Sequence, residues 1–232
     1  MCPAILFDLD DTLYPYNQFM LGGYRSAARI ALRYLDVDEK LFFQMCLQEW
    51  RRQGHSGKIF NRVLNSLGMP DWILPHLVNA FRDHNPKLHL FPDANWFLNI
   101  LQGKLDLGII TDGLAPVQRR KIEALNIARY FKVIICTGDY GRENWKPSLL
   151  PYQEALKKLG SPPPERVVYI GDNPYKDFAG AKVLGIYTLR LLRGPFRYIQ
   201  VSPQQDAHVV VSSFKEISAC IPWFPIAEGV LE

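Results

Sequence analysis

The chain is 232 residues long, enough for one sizeable core with a smaller appended unit, and 48% hydrophobic with 22% charged, which excludes a disordered or fibrous polymer. A net charge of +4 without any long Lys/Arg run argues against nucleic acid as a partner, and no apolar stretch is long enough to span a membrane. The opening residues lack a basic leader, and the four scattered cysteines (Cys2, Cys46, Cys136 and Cys220) form no CxxC pair, so a reducing, cytoplasmic setting is expected.

"AILFDLDDTLYP" opens with an apolar run of strand type that ends in Asp8, Asp10 and Asp11. From residue 16 to about 86 no strand pattern follows, and the spacing predicts helices in four segments: 17–35, 38–52, 61–67 and 70–81. "RRQGHSGK" and "SLGMP" read as breaks between them. After Phe91 apolar runs of strand length appear at 105–111, 131–138, 166–172 and 185–191, with 207–214 as one more edge strand. Helical stretches near 94–102, 115–127, 148–159 and 175–184 separate them. Apolar strands without polar alternation, alternating with helices, predict a parallel sheet covered on both faces. The expected architecture is therefore α/β: a Rossmann-like parallel core over residues 1–14 and 88–232, interrupted by a helical unit over 15–87.

Ligands of open parallel sheets sit beyond the carboxyl ends of the strands, so the residues just after each strand matter most. The first strand runs into Asp8, Asp10, Asp11 and Thr12; the second ends in Thr111, Asp112 and Gly113. Lys146 follows the third, and Asp172, with Asp177 five residues on, follows the fourth. Side chains alternate along an extended backbone, so Asp8 and Asp10 are expected on one side and Asp11 on the other. Up to four carboxylates are expected to converge, and such a cluster calls for a cation. Oxygen ligands without a spaced His/Cys set favour Mg²⁺ over zinc. Even with Asp10 counted as protonated, Lys146 alone leaves a site holding a phosphate strongly negative, which makes a metal requirement the expectation.

In order, "DLDDT", the Thr of "IITDG", the Lys of "WKPS" and "GDNPYKD" resemble the four motifs of the haloacid dehalogenase superfamily, across nearly the whole chain. The helical insertion is similar to that family's C1-type cap. The resemblance implies a Mg²⁺-dependent phosphatase that works through an aspartyl-phosphate on Asp8, with Asp10 as general acid and then base. It implies that Thr111 and the backbone around Asp112 and Gly113 hold phosphoryl oxygens, that Thr12 orients the phosphate loop, and that Lys146 neutralises charge. It assigns Mg²⁺ to the Asp8 side chain, the Asp10 backbone carbonyl and Asp172, with Asp177 supporting metal waters or the lysine. Asp10 separates this chain from the dehalogenase branch, in which halide needs no proton.

A small phosphorylated substrate is the implied partner, in a monomer or homodimer. A phosphomutase would use the same residues. "FDLDDTLYP" also resembles the opening of pyrimidine 5′-nucleotidases, whose DDxxxN fourth motif "GDNPYKD" departs from. Tyr14, Tyr16 and Asn17 fall at the entrance of the insertion, and Arg51, Arg52, His55 and Lys58 form a basic stretch. Arg51, Arg52 and Lys58 are candidates to meet the anionic remainder of a substrate, and a solvated helix end accounts for the same stretch.

Overall fold

A computed structural model describes residues 3–54 and 57–221. The chain divides into two compact units, one formed by residues up to Pro15 together with those from His89 on, the other by Tyr16–Leu88.

The second unit is helical. It comprises α1 (Asn17–Leu35), α2 (Glu39–Gln53), α3 (Ile59–Leu67) and α4 (Leu74–Asp83). Its core gathers the apolar faces of these helices, with Tyr24, Ala27, Ala28 and Ala31 of α1 against Phe42, Phe60, Val63 and Leu77. Gly23 permits the close approach of α4, since a Cβ there would fall 2.4 Å from the Phe81 ring. Asp38 caps α2 by accepting from Leu41 N at 2.8 Å. Gly68 ends α3 in the left-handed region at φ 63°. The segment predicted as one helix over 70–81 instead begins as a 3₁₀ turn, Asp71–Ile73, before α4. Pro75 falls in the first turn of α4, where no backbone N–H is needed.

The first unit is a parallel sheet with helices between its strands. In chain order it contains β1 (Ala4–Phe7), α5 (Pro92–Leu101), β2 (Asp106–Thr111), α6 (Ala115–Ala124), β3 (Val133–Cys136), α7 (Leu150–Lys158), β4 (Val167–Gly171), α8 (Ala179–Val183), β5 (Tyr187–Leu191) and β6 (Val209–Val211). The spatial order is β3-β2-β1-β4-β5-β6, every pairing parallel. Strand β1 lies at the centre, its residues Ile5, Leu6 and Phe7 fully buried, which is why it shows no polar alternation. Phe7, the last residue of β1, pairs with Ile109 on one side and Ile170 on the other, so β2 runs on two residues and β4 one residue past the end of β1. The order reverses between β1 and β4, and that switch point opens a crevice at their carboxyl ends. The helix expected over 175–184 starts only at Ala179; the residues before it form turns around Asp177.

Candidate active site

Asp8 is the first residue beyond β1, and its N–H continues the ladder to Ile170 O at 2.8 Å. Its carboxylate therefore emerges at the switch point. Lys146, carried on the loop after β3, reaches the same place with a fully buried side chain. Its ammonium donates to Asp8 Oδ1 at 2.5 Å, Asp177 Oδ1 at 2.7 Å and the Tyr169 hydroxyl at 2.8 Å. The three partners consume the three protons of the ammonium. Burial disfavours the charged lysine, but Asp177 and Asp8 outweigh it and raise its pKa well above the ordinary value.

Asp177 is placed by its own turn. Asn173 N donates to its Oδ2 at 2.9 Å, and Tyr169 OH to Oδ1 at 3.2 Å. Gly171 makes room: a Cβ there would sit 2.5 Å from Asp177 Oδ2. Asp172 follows immediately, buried, with Thr12 Oγ1 at 3.5 Å from its Oδ1. Burial and the neighbouring charges of Asp177 and Asp8 push the Asp172 pKa well above the carboxylate range.

Asp8, Asp172 and Asp177 each offer an oxygen within 4.8 Å of the others. Asp8 Oδ2 is buried and has no hydrogen-bond partner among the described residues. Desolvation pushes the Asp8 pKa up to about 6 in spite of Lys146. Buried carboxylates grouped this closely, with no nitrogen or sulfur ligand beside them, fit a hard divalent cation such as Mg²⁺. Asp177 is the weaker candidate for direct ligation, because Lys146, Tyr169 and Asn173 N already use its oxygens.

The expected fourth carboxylate does not join this group. Asp10 turns toward α6, where Lys121 Nζ donates to Oδ1 at 2.9 Å and Oδ2 at 2.7 Å. The Tyr14 hydroxyl adds a bond to Oδ1 at 2.5 Å. Burial works to raise the Asp10 pKa, but the Lys121 charge and these hydrogen bonds hold it below the usual value. Without a bound phosphate, the Asp10 carboxylate thus has its own buried counter-ion, Lys121. Tyr14, which the sequence places at the entrance of the insertion, is fully buried, and its hydroxyl serves Asp10.

Thr111 and Thr12 are buried at the same strand ends. Thr111 Oγ1 accepts from Gln118 Nε2. The Asp112 side chain braces the lysine loop, accepting from Thr137 Oγ1 at 2.9 Å and Lys146 N at 3.1 Å. Gly113 takes φ 132°, a backbone conformation that disfavours a side chain. Arg51, Arg52 and Lys58 are exposed on the helical unit, and Arg52 pairs with Glu49 at 3.0 Å. His55 lies outside the described residues.

Reading strand ends missed Lys121, Gln118 and Lys176. Lys176 Nζ stands 3.9 Å from Asp8 Oδ1 and 3.7 Å from Asp112 Oδ2, a second ammonium beside the cluster. Gln118 and Lys121 had a signal: they occupy buried positions of α6, with Ala115 and Ile122, where helical spacing calls for apolar side chains.

Residues 5–191 match the haloacid dehalogenase-like hydrolase family. The chain is 30% identical over 220 residues to a glyceraldehyde 3-phosphate phosphatase of Methanopyrus kandleri, covering 90% of this chain and 91% of that one. It is likewise 30% identical over 226 residues to the glyceraldehyde 3-phosphate phosphatase of Methanocaldococcus jannaschii, covering 94% and 96%. The fold resembles the crystal structure of a HAD-hydrolase from Bacillus subtilis bound to magnesium, with TM-score 0.68, 18% identity and coverage of 94% and 98%. The chain belongs to the haloacid dehalogenase-like hydrolases. Within that family it is an enzyme of the phosphatase class.

Proposed function

We propose that the protein hydrolyses a small phosphorylated metabolite in two steps through an aspartyl-phosphate on Asp8. The observation that carries this reading is the division of labour on one carboxylate: Oδ1 is held by Lys146, while Oδ2 is buried and unpartnered. That oxygen is fixed in direction and already stripped of water, as an attacking atom should be. In the first step Asp8 Oδ2 bonds to phosphorus and the ester P–O bond breaks. Asp10 takes up a proton from solvent as the substrate enters and gives it to the leaving oxygen. In the second step Asp10, again a carboxylate, takes a proton from the water that attacks the phosphoryl group and frees Asp8.

Thr111 and the backbone N–H groups near Asp112 and Gly113 hold the phosphoryl oxygens, with Thr12 orienting the loop. Lys146, with Lys176 beside it, offsets the charge that nucleophile and phosphate bring together. Mg²⁺ would be held by the Asp8 side chain, the Asp10 carbonyl and Asp172, and when bound it supplies the remaining positive charge. Asp177 acts by fixing Lys146. The helical unit serves as the cap, and Arg51, Arg52 and Lys58 are its candidates for contact with an anionic substrate. We place the activity in the cytoplasm.

The test is phosphate release from a panel of triose and other sugar phosphates, phospho-acids, nucleotides and an aryl phosphate, with Mg²⁺ and with chelator. Metal-dependent release abolished in Asp8→Asn is expected. Release that survives Asp8→Asn overturns the nucleophile assignment, and a phosphoryl group returned to substrate without steady phosphate release would make the enzyme a mutase.

A further inference from the structure

We infer that Lys121 is a positioning residue that holds the Asp10 carboxylate for proton transfer, and that Gln118 is the partner which the leaving oxygen displaces. The inference rests on the reading of Asp10 as acid and base.

Lys121 lies on a ten-residue helix, α6, with only 3% of its side chain exposed. An ion pair between a buried lysine and an aspartate that is 24% exposed contributes little to stability compared with an apolar side chain in the lysine's place, so fold stability does not account for it. Its geometry does specify something: one ammonium spans both oxygens of Asp10, at 2.9 Å and 2.7 Å. Together with Tyr14 OH on Oδ1, this leaves the carboxylate no freedom to rotate. A general acid works only within hydrogen-bond reach of the oxygen it serves, and an aspartate without lateral support samples several rotamers.

The fourth contact differs from the others. Gln118 Nε2 reaches Asp10 Oδ2 at 3.3 Å, the longest bond to this carboxylate. The same nitrogen also donates to Thr111 Oγ1 and, at 2.8 Å, to Asp112 O. Two amide protons therefore face three acceptors, and Asp10 is served least well. Exchange of this long bond for a substrate oxygen leaves Gln118 with both protons satisfied. It opens one lone pair of Asp10 Oδ2, while Lys121 and Tyr14 keep the carboxyl in place. Because Gln118 and Lys121 are three residues apart on one helical face, α6 couples the acid from β1 to the threonine from β2.

The experiment compares wild type, Lys121→Met, Asp10→Asn and the double variant in single-turnover formation of the phosphoenzyme, with Mg²⁺ present. Each is run on an alkyl phosphate, whose leaving group needs a proton, and on 4-nitrophenyl phosphate, whose leaving group needs it far less. Lys121→Met should lose on the order of 100-fold on the alkyl ester, and roughly tenfold less than that on the aryl ester, as expected for a defect in general acid catalysis. In the Asp10→Asn background the same substitution should cost no more than about threefold, since there is no acid left to hold. The double variant also lacks an orphaned buried charge, so poor folding of Lys121→Met alone does not obscure the result. Equal losses on the two esters, or a full further loss on top of Asp10→Asn, would overturn the assignment. If wild type forms no phosphoenzyme, or Asp8→Asn still does, the underlying reading fails in the controls and this inference falls with it.

Discussion

Replacing Lys146 by Met removes the cation that three buried groups share while keeping most of its bulk. In the native site the ammonium lies 2.5 Å from Asp8 Oδ1, 2.7 Å from Asp177 Oδ1 and 2.8 Å from Tyr169 OH, with 0–1% of either carboxylate side chain exposed. Deleting one partner of a buried pair leaves an uncompensated charge and costs roughly 3–5 kcal/mol. Two carboxylates lose their partner here, which places the expected loss at the upper end of that range when both are ionised. For a chain of this size that corresponds to a fall in melting temperature on the order of 10 °C.

The pH dependence makes this reasoning specific. Asp8 already has its pKa raised to about 6 by burial while Lys146 is present. Without the ammonium, both Asp8 and Asp177 protonate at higher pH in the folded protein than in the unfolded chain. The loss is therefore full above those folded values and shrinks as pH falls toward the unfolded carboxylate value of about 4. Scanning calorimetry in chelator at pH 8 and pH 5 should show the large deficit at pH 8 and at most half of it at pH 5. A deficit under about 1 kcal/mol at pH 8, or one of equal size at both pH values, would refute the view that Lys146 neutralises the cluster.

Asp8→Asn removes the nucleophile and one buried negative charge together, so turnover should fall by at least roughly 1,000-fold while metal-free thermal stability rises; a stability loss would contradict the orphaned state of Oδ2. Metal-free wild type should itself be more stable at pH 5 than at pH 7. Asp8 has a folded pKa of about 6 against an ordinary 3.8, so the folded state takes up protons before the unfolded chain does as pH falls, a gain from Asp8 of roughly 1 kcal/mol by pH 5. Asp172 shifts in the same direction, whereas Asp10 and Asp177, held low, lose their contribution only further down. Urea midpoints in chelator check this, and a lower midpoint at pH 5 refutes it. Gly171→Ala drives a Cβ to 2.5 Å from Asp177 Oδ2, so it should lower kcat at least tenfold by displacing Lys146's anchor and cost about 1–3 kcal/mol; unchanged kinetics would show that Asp177 is dispensable.

The parallel core was legible because a strand buried on both faces leaves an unbroken apolar run, as in Ala4–Phe7 and Val167–Gly171. Its strand ends also announced Asp8 and Asp172, since a charged residue directly after such a run has to emerge at the switch point. The turn before α8 was less legible. Tyr175 to Phe178 carries a helical rhythm, but Asp177 spends its carboxylate on Asn173 N and Lys146, and that tertiary demand delays the helix to Ala179.

What strand ends could not reveal is the set of side chains that act through another residue. Lys121 lies within α6 rather than after a strand, and it reaches the site across 111 positions of sequence to pair with Asp10. In the linear sequence it is one lysine in "QRRKIEA", and its neighbours Arg119 and Arg120 mask it. The distinguishing fact is positional: Lys121 and Gln118 fall on the face that Ala115 and Ile122 bury. Without that pair, like-charge repulsion between Asp8 and Asp10 argues for a neutral Asp10. With it, the repulsion is met by a dedicated counter-ion, and each of the two acids keeps its own lysine. Two carboxylates with a single residue between them can thus hold different roles because two separate elements, the loop after β3 and the helix after β2, each deliver one buried cation.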